Sequence, residues 1–236
     1  MLYIFYHRRN FRLVDVYLSK MKLILDKGQR IFLTSDSHYS HSNLCRATSS
    51  WIDESKTRDF KSLDHMNSVL VDSINNMVGE NDILFHLGDF SFGGFDKIGE
   101  FRSRILCKNI HLVLGNHDHH IERNKDGIRS LFSSVNHYVS LDLRRPGNGP
   151  EMDKFSMILC HFPIASWDGM NDGRIHLHGH VHLAPLHKIA EGRAMDVGAD
   201  GNGMDPYSLD EILKLLKDRP IKRLSLPADH HESGET

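Results

Sequence analysis

Five apolar runs in this 236-residue chain each lead into a polar tip of residue types that bind metal ions. Ile31-Phe32-Leu33 leads to Asp36-Ser37-His38, and Ile83-Leu84-Phe85 leads to Gly88-Asp89. The run from Ile110 to Leu114 ends on Gly115-Asn116-His117-Asp118. Met157-Ile158-Leu159-Cys160 is followed by His161, and Ile175-His176-Leu177 by Gly179-His180-Val181-His182. Carboxylate, amide and imidazole groups need partners once buried, so their repetition at the ends of apolar runs points to one shared site. In an open α/β sheet, strands of like direction present their carboxyl ends to one edge, where ligands bind. Asp36, His38, Asp89, Asn116, His161, His180 and His182 would converge there. This mixed oxygen and nitrogen set suits Mn, Fe, Co, Ni or Zn better than Ca or Mg, which prefer all-oxygen surroundings. Seven donors exceed one tetrahedral ion and fit two ions if a carboxylate bridges them. Two cations about 3.5–4 Å apart clamp the attacking and leaving oxygens of a phosphoryl displacement, with a bridging hydroxide as nucleophile.

These blocks, in this order, resemble the calcineurin-like metallophosphoesterase superfamily, whose pattern is D-x-H, G-D, G-N-H-[DE], H, G-H-x-H. The resemblance runs from about Arg30 to Leu216, and its wording is similar to a compact bacterial and phage-type branch: Ser35-Asp36-Ser37-His38-Tyr39-Ser40-His41, Phe85-His86-Leu87-Gly88-Asp89-Phe90 and His161-Phe162-Pro163-Ile164. It implies an α/β fold, a two-sheet β-sandwich flanked by helices. It also implies two divalent transition ions, with Mn as the expected occupant and Fe, Zn, Co or Ni as alternatives. The first ion is expected on Asp36, His38, Asp89 and His182, and the second on Asp89, Asn116, His161 and His180, with Asp89 the bridge. His117 is expected to act on the phosphoryl or leaving oxygen rather than on metal, and Asp118 to orient its imidazole.

Other histidines are assigned more ordinary places. His86 and His176 lie inside apolar runs and read as neutral core residues, whereas His178 alternates with His180 and reads as a support for the ligands. His119, His120, His230 and His231 read as surface. His41, Trp167 and Asp200 are the expected substrate contacts: His41 for its nearness to His38, Trp167 as a stacking ring, and Asp200 in the glycine-rich turn after Asp196.

The elements that must position these tips read as alternating strands and helices. Strands are expected at Ile31–Ser35, Ile83–His86, Ile110–Leu114, Val135–Leu143, Met157–Cys160, Ile175–Leu177, His187–Ile189 and Met195–Val197, with a turn over 144–150. Helices are expected over Leu63–Val78, Lys97–Leu106 and Ile128–Phe132, and from a Ser208/Glu211 capping box to Lys217. The domain is expected over 30–226, with a disordered tail from 227 to 236. Within the extension 1–29, the spacing of Val14, Tyr17, Leu18, Met21 and Leu25 predicts a surface helix.

A formal charge of −2 gives no long-range attraction to a nucleic-acid polymer or an anionic membrane. Three cysteines without CxxC spacing fit a reducing, cytoplasmic setting. With no cap domain or basic surface legible, the favoured activity is a phosphodiesterase on a small substrate, a cyclic nucleotide or a phosphodiester metabolite. A phosphomonoesterase or phosphoprotein phosphatase is the alternative. A nuclease ranks lower, as does a non-catalytic scaffold of the same fold, which would lack the histidine that stands here at 117.

Overall fold

The computed structural model describes residues 18–147, 151–184, 187, 189 and 191–223. Among the described residues, ten strands form two five-stranded, mostly parallel sheets. One sheet has the order β10-β2-β3-β4-β5, built from β2 (Ile31–Thr34), β3 (Ile83–His86), β4 (Asn109–Val113), β5 (Ser134–Asn136) and β10 (Tyr207–Ser208). The other has the order β1-β6-β7-β8-β9, built from β1 (Leu18–Ile24), β6 (Tyr138–Pro146), β7 (Met152–Cys160), β8 (Ile175–His178) and β9 (Ala194–Asp196). The helices are α1 (Leu63–Met77), α2 (Phe95–Arg104), the one-turn α3 (His119–Glu122) and α4 (Leu209–Leu216).

Side-chain alternation explains the layering. Ile31, Leu33, Ile83, Phe85 and Val113 of one sheet share a buried core with Val139, Leu141, Met157, Leu159, Ile175 and Leu177 of the other. The intervening Phe32, Leu84, Ile110 and Leu112 face the opposite way, onto Met66, Leu70 and Ile74 of α1 and Ile98 and Phe101 of α2. Strands covered on both faces read as continuous apolar runs, which is why β2, β3 and β4 stand out in the sequence. Ser62 caps α1 by accepting from the His65 N–H, and the Ser208/Glu211 capping box of α4 forms as expected.

Several expectations need correction. The segment Leu18–Ile24 is not helical: it pairs in parallel with β6 from Leu18↔Tyr138 to Ile24↔Arg144, so sheet pairing overrides its 3.6-residue spacing. Residues 1–17 and the tail beyond 223 lie outside the described residues. The single strand expected over Val135–Leu143 is two, because the chain leaves one sheet after Asn136 and enters the other at Tyr138. The turn expected at 144–150 does not begin at 144, since β6 continues to Pro146, and residues 148–150 lie outside the described residues. Of the strand expected at His187–Ile189, His187 and Ile189 lie in no strand, and residue 188 lies outside the described residues. The segment Lys125–Leu131 is made of 3₁₀ turns interrupted by Asp126 and Gly127 at positive φ, and His119 opens α3.

Candidate metal centre

The parallel strands β2, β3 and β4 carry Asp36 and His38, Asp89, and Asn116 and His117 in the loops at their carboxyl ends. The parallel strands β7, β8 and β9 do the same for His161, for His180 and His182, and for Asp200. Main-chain hydrogen bonds stitch these loops together: the Asp36 N–H donates to Gly88 O at 2.9 Å, and the His38 N–H to Asp89 O at 2.9 Å. The Gly179 N–H donates to His161 O, also at 2.9 Å. Two glycines permit the close approach. A Cβ on Gly115 would lie 2.2 Å from Asp89 Oδ1, and one on Gly179 would lie 2.3 Å from Asp36 Oδ2.

Two groups of donors result, Asp36 with His38 and His182, and Asp89 with His161 and His180, the ligand atoms within each lying within 4.8 Å of one another. The two carboxylates are held alike. The main-chain N–H of His180 donates to Asp36 Oδ2 at 2.9 Å, and that of His117 to Asp89 Oδ1 at 2.8 Å. That leaves Asp36 Oδ1 and Asp89 Oδ2 turned inward. Asp36 Oδ1 lies 3.8 Å from His38 Nε2 and 3.7 Å from His182 Nε2. Asp89 Oδ2 lies 3.6 Å from both His38 Nε2 and His161 Nε2.

The hydrogen bonds at the far side of two rings hold Nδ1 as the donor and turn Nε2 inward. His161 Nδ1 donates to Leu87 O at 2.8 Å, and His182 Nδ1 to the Asp200 carboxylate at 2.6 Å. His161 Nε2 therefore turns a lone pair toward Asn116 Oδ1, 3.1 Å away. His182 Nε2 lies 3.3 Å from His38 Nε2. In the neutral His161 ring an acceptor then faces an acceptor, the arrangement that a cation between them would satisfy. Two ligands at about 2.1 Å on a tetrahedral ion stand roughly 3.4 Å apart. Asp36 Oδ1 is buried without a hydrogen-bond partner, an orphan that a cation would satisfy. Burial pushes the Asp36 carboxyl up to about 6, the direction expected of a carboxylate lacking its counter-charge. Burial also holds His38 well below its usual value, aided by the Arg58 charge, and lowers His180, so these imidazoles are neutral and ready to ligate.

Asp118 does not have the expected role. Its buried carboxylate accepts from the main-chain N–H groups of Asp89 at 2.8 Å, Phe90 at 3.0 Å and Gly115 at 2.8 Å. It clamps the Asp89 loop to the Asn116 loop and makes no ion pair with the His117 ring. Burial raises its pKa to about 7 against the lowering effect of these bonds. The His117 side chain is 40% exposed, with Nε2 4.0 Å from Asp89 Oδ2.

Asp200 lines the cavity beside the centre, and its carboxylate is held by protein groups. One oxygen accepts from Arg58 Nε at 2.7 Å, and the other accepts from Arg58 Nη2 at 2.8 Å and from His182 Nδ1. Burial acts to raise Asp200, but the His182 and Arg58 hydrogen bonds outweigh it and hold the carboxyl well below its ordinary range. Burial likewise works against a charged His182, yet the Asp200 bond and the Asp36 charge raise it. Arg58, 6% exposed, also donates to Ser37 O at 2.8 Å and Asp36 O at 2.6 Å, tying the first ligand loop to the last. Nothing in the sequence marks this arginine, which is 142 positions from Asp200.

Trp167 is no substrate contact. It packs with Ile158, Met170 and Ala194 on the outer face of the second sheet and donates through Nε1 to Arg174 O at 2.8 Å. The tryptophan near the centre is Trp51. With His41, Leu44, Lys56 and Arg58 it lines a cavity of about 520 Å³ that opens onto His38, His117 and His182. His86 and His176 are buried as expected, and burial lowers them to about 3 and about 4. His178 is also buried, its Nδ1 3.1 Å from Gly179 O.

No family model matches the chain. The Gene 66 protein of Mycobacterium phage D29 is 28% identical over 207 residues, which span 80% of this chain and 96% of that protein. An uncharacterized protein of Methanocaldococcus jannaschii is 26% identical over 201 residues, 83% of this chain and 96% of its own. A crystal structure of a protein of unknown function from Aquifex aeolicus superposes with a TM-score of 0.53 at 22% identity, covering 80% of this chain and all of that one. That likeness concerns the fold. No helix among the described residues is long and apolar enough to cross a membrane.

Proposed function

We propose that the chain is a dinuclear metallophosphoesterase of the calcineurin-like type that hydrolyses small phosphodiesters. The observation that carries this reading is the position of Asp89 Oδ2, 3.6 Å from His38 Nε2 of one donor group and 3.6 Å from His161 Nε2 of the other. One carboxylate oxygen shared between two donor groups is the arrangement a bridged ion pair needs. Asp36, His38, Asp89 and His182 would hold one ion, and Asp89, Asn116, His161 and His180 the other. Two such ions supply Lewis acidity and a nucleophile of lowered pKa to a phosphoryl centre.

The chain's own groups supply the rest. Asp200 fixes the orientation of the His182 ring, Leu87 O fixes that of His161, and Asp118 keeps the Asp89 and Asn116 loops in register. His117 faces the cavity, where its imidazole would donate to the leaving oxygen as the ester bond breaks. A small diester is favoured because no part of the cavity wall is strongly basic: Arg58 is committed to Asp200, and Lys56 lies 3.8 Å from Asp53.

Manganese titration with elemental analysis should find two ions per chain, and Asp89→Ala should lose both. Bis-p-nitrophenyl phosphate should turn over faster than p-nitrophenyl phosphate, single-stranded DNA or a phosphopeptide. One ion or none at saturation would refute the dinuclear reading, and dominant monoester or nuclease turnover would refute the substrate class.

A further inference from the structure

Trp51 is a large apolar ring that no core accounts for. It belongs to none of the three buried clusters, whereas the chain's other tryptophan, Trp167, sits inside one. It is 40% exposed and nonetheless fixed. The Ser50 N–H and hydroxyl both donate to Asn43 Oδ1, at 3.1 and 3.0 Å, and the Trp51 N–H donates to Ser49 Oγ at 3.1 Å. Just beyond, the Ser55 N–H and hydroxyl donate to Asp53 Oδ1, and Arg58 N–H to Leu44 O closes the excursion. A loop held by this many bonds presents its tryptophan as a wall.

The wall continues inward through His41, whose ring lies 5.7 Å from Trp51 at 64° and packs against Phe92 at 4.1 Å on its other side. His41 Nδ1 accepts the Leu44 N–H at 3.3 Å, which leaves its Nε2 as a donor. The cavity is also lined by His38 and His182 of the metal centre and by His117 and Asp200 beside them. An ester phosphate at that centre would therefore extend one substituent along indole and imidazole. The volume, about 520 Å³, falls within the roughly 300–1,000 Å³ of small-molecule sites.

On these grounds, and resting on the phosphodiesterase reading above, we infer that Trp51 and His41 seat a planar ring, and that the substrate is a nucleoside phosphodiester whose base stacks on Trp51. Stacking asks for a π face rather than a set of base-edge hydrogen bonds, and Trp51 and His41 bring such rings to the cavity wall.

The test compares AMP with ribose 5-phosphate, which keeps the phosphate and sugar but lacks the ring. Both are titrated by calorimetry into the manganese-saturated protein, and Trp51 emission is followed in a Trp167→Phe background. AMP should bind at least fivefold more tightly than ribose 5-phosphate and quench the emission. Trp51→Ala should weaken AMP by roughly 5- to 100-fold, the usual loss on removing a base–aromatic stack, and leave ribose 5-phosphate within twofold. Trp51→Phe should restore most of the difference. Equal binding of the two ligands, no binding of AMP at millimolar concentration, or equal weakening of both by Trp51→Ala would overturn the inference. Turnover of bis-p-nitrophenyl phosphate by the unsubstituted protein separates the two layers. If turnover occurs without ring preference, only the stacking site fails; if no ester is hydrolysed, the phosphodiesterase reading fails with it.

Discussion

Asp200→Asn isolates a role that sequence and structure assign differently. The substitution keeps the shape of the side chain and removes the charge that balances Arg58, whose own side chain is only 4% exposed. Stripping one partner from a buried ion pair costs about 3–5 kcal/mol. Two features reduce that here: the Asp200 side chain is 22% exposed, and Arg58 keeps its bonds to Ser37 O and Asp36 O. About 2–3 kcal/mol is the expected loss, which for a domain of this size lowers the melting temperature by about 4–12 °C. The second consequence falls on the metal. Losing the carboxylate that orients a ligating imidazole weakens metal affinity by about 10–100-fold, and only His182 depends on Asp200. Melting in EDTA and calorimetric manganese titration should therefore show a destabilised protein in which one of the two ions binds more weakly. Unchanged melting together with unchanged affinity would refute the relay from Arg58 through Asp200 to His182. Unchanged affinity with a raised KM for bis-p-nitrophenyl phosphate would instead make Asp200 a substrate contact, as the sequence suggested.

Three other perturbations have defined outcomes. His117→Ala keeps the main-chain N–H that holds Asp89 Oδ1, so elemental analysis should still find two ions while kcat falls by roughly 10²–10⁴; loss of metal would make His117 a ligand. Gly179→Ala would put a Cβ 2.0 Å from Ser35 Oγ and 2.3 Å from Asp36 Oδ2, so it should cost about 1–3 kcal/mol as overpacking and weaken manganese binding; wild-type affinity would show that the loop yields freely. His176 accepts the Ile164 N–H through Nε2 at 3.1 Å, and burial, with the nearby His178 charge, lowers it to about 4. Unfolded chains protonate this histidine near 6.5, so its contribution is intact above that pH and is lost as pH falls toward 4. The loss is about 2–3 kcal/mol at 1.36 kcal/mol per pKa unit. Urea titrations at pH 7.5 and 4.5 should show His176→Gln flattening that dependence, and an equal pH slope in both proteins would refute it.

What was legible in the sequence follows from what each signal depends on. β2, β3 and β4 are buried on both faces and carry their identity in consecutive apolar residues, and α4 carries its start in the Ser208/Glu211 box. The donors at the strand ends needed only the rule that parallel strands deliver their carboxyl ends to one edge. Residues whose meaning depends on a distant partner were not legible. Arg58 acquires its role from Asp200 and the Asp36 loop, and Asp118 turns to three main-chain N–H groups instead of the adjacent histidine. Trp51 and Trp167 exchange the roles their neighbourhoods suggest. An aromatic beside Asp168-Gly169 proved to be packing, while one set among Ser49, Ser50 and Asp53 stands at the cavity, and its polar surroundings were the available clue. Leu18–Ile24 shows the converse, a helical spacing that pairing with β6 overrides.

Five of the candidate ligands, Asp36, His38, Asp89, His180 and His182, sit at positive φ, between 48° and 73°. Non-glycine residues held in that region cost about 1–3 kcal/mol each, so the five together reach the order of a domain's whole net stability, about 5–15 kcal/mol. Such a cluster persists only where the surroundings over-determine it. Here they do: each strand ends at the same edge, each loop bonds to its neighbour's main chain, and Asp118 and Arg58 each join two loops. Left-handed turns let the chain reverse close to a strand end, so that Asp36 and His38 direct donors into one group while His180 and His182 divide theirs between the two. Asp, Asn and His are also the non-glycine residues that enter this region most readily. Residue types able to ligate are thus the types able to make the turn. A substitution at these positions changes two things at once, the donor and the conformational cost of the loop that presents it, and replacement by glycine would remove the first while relieving the second.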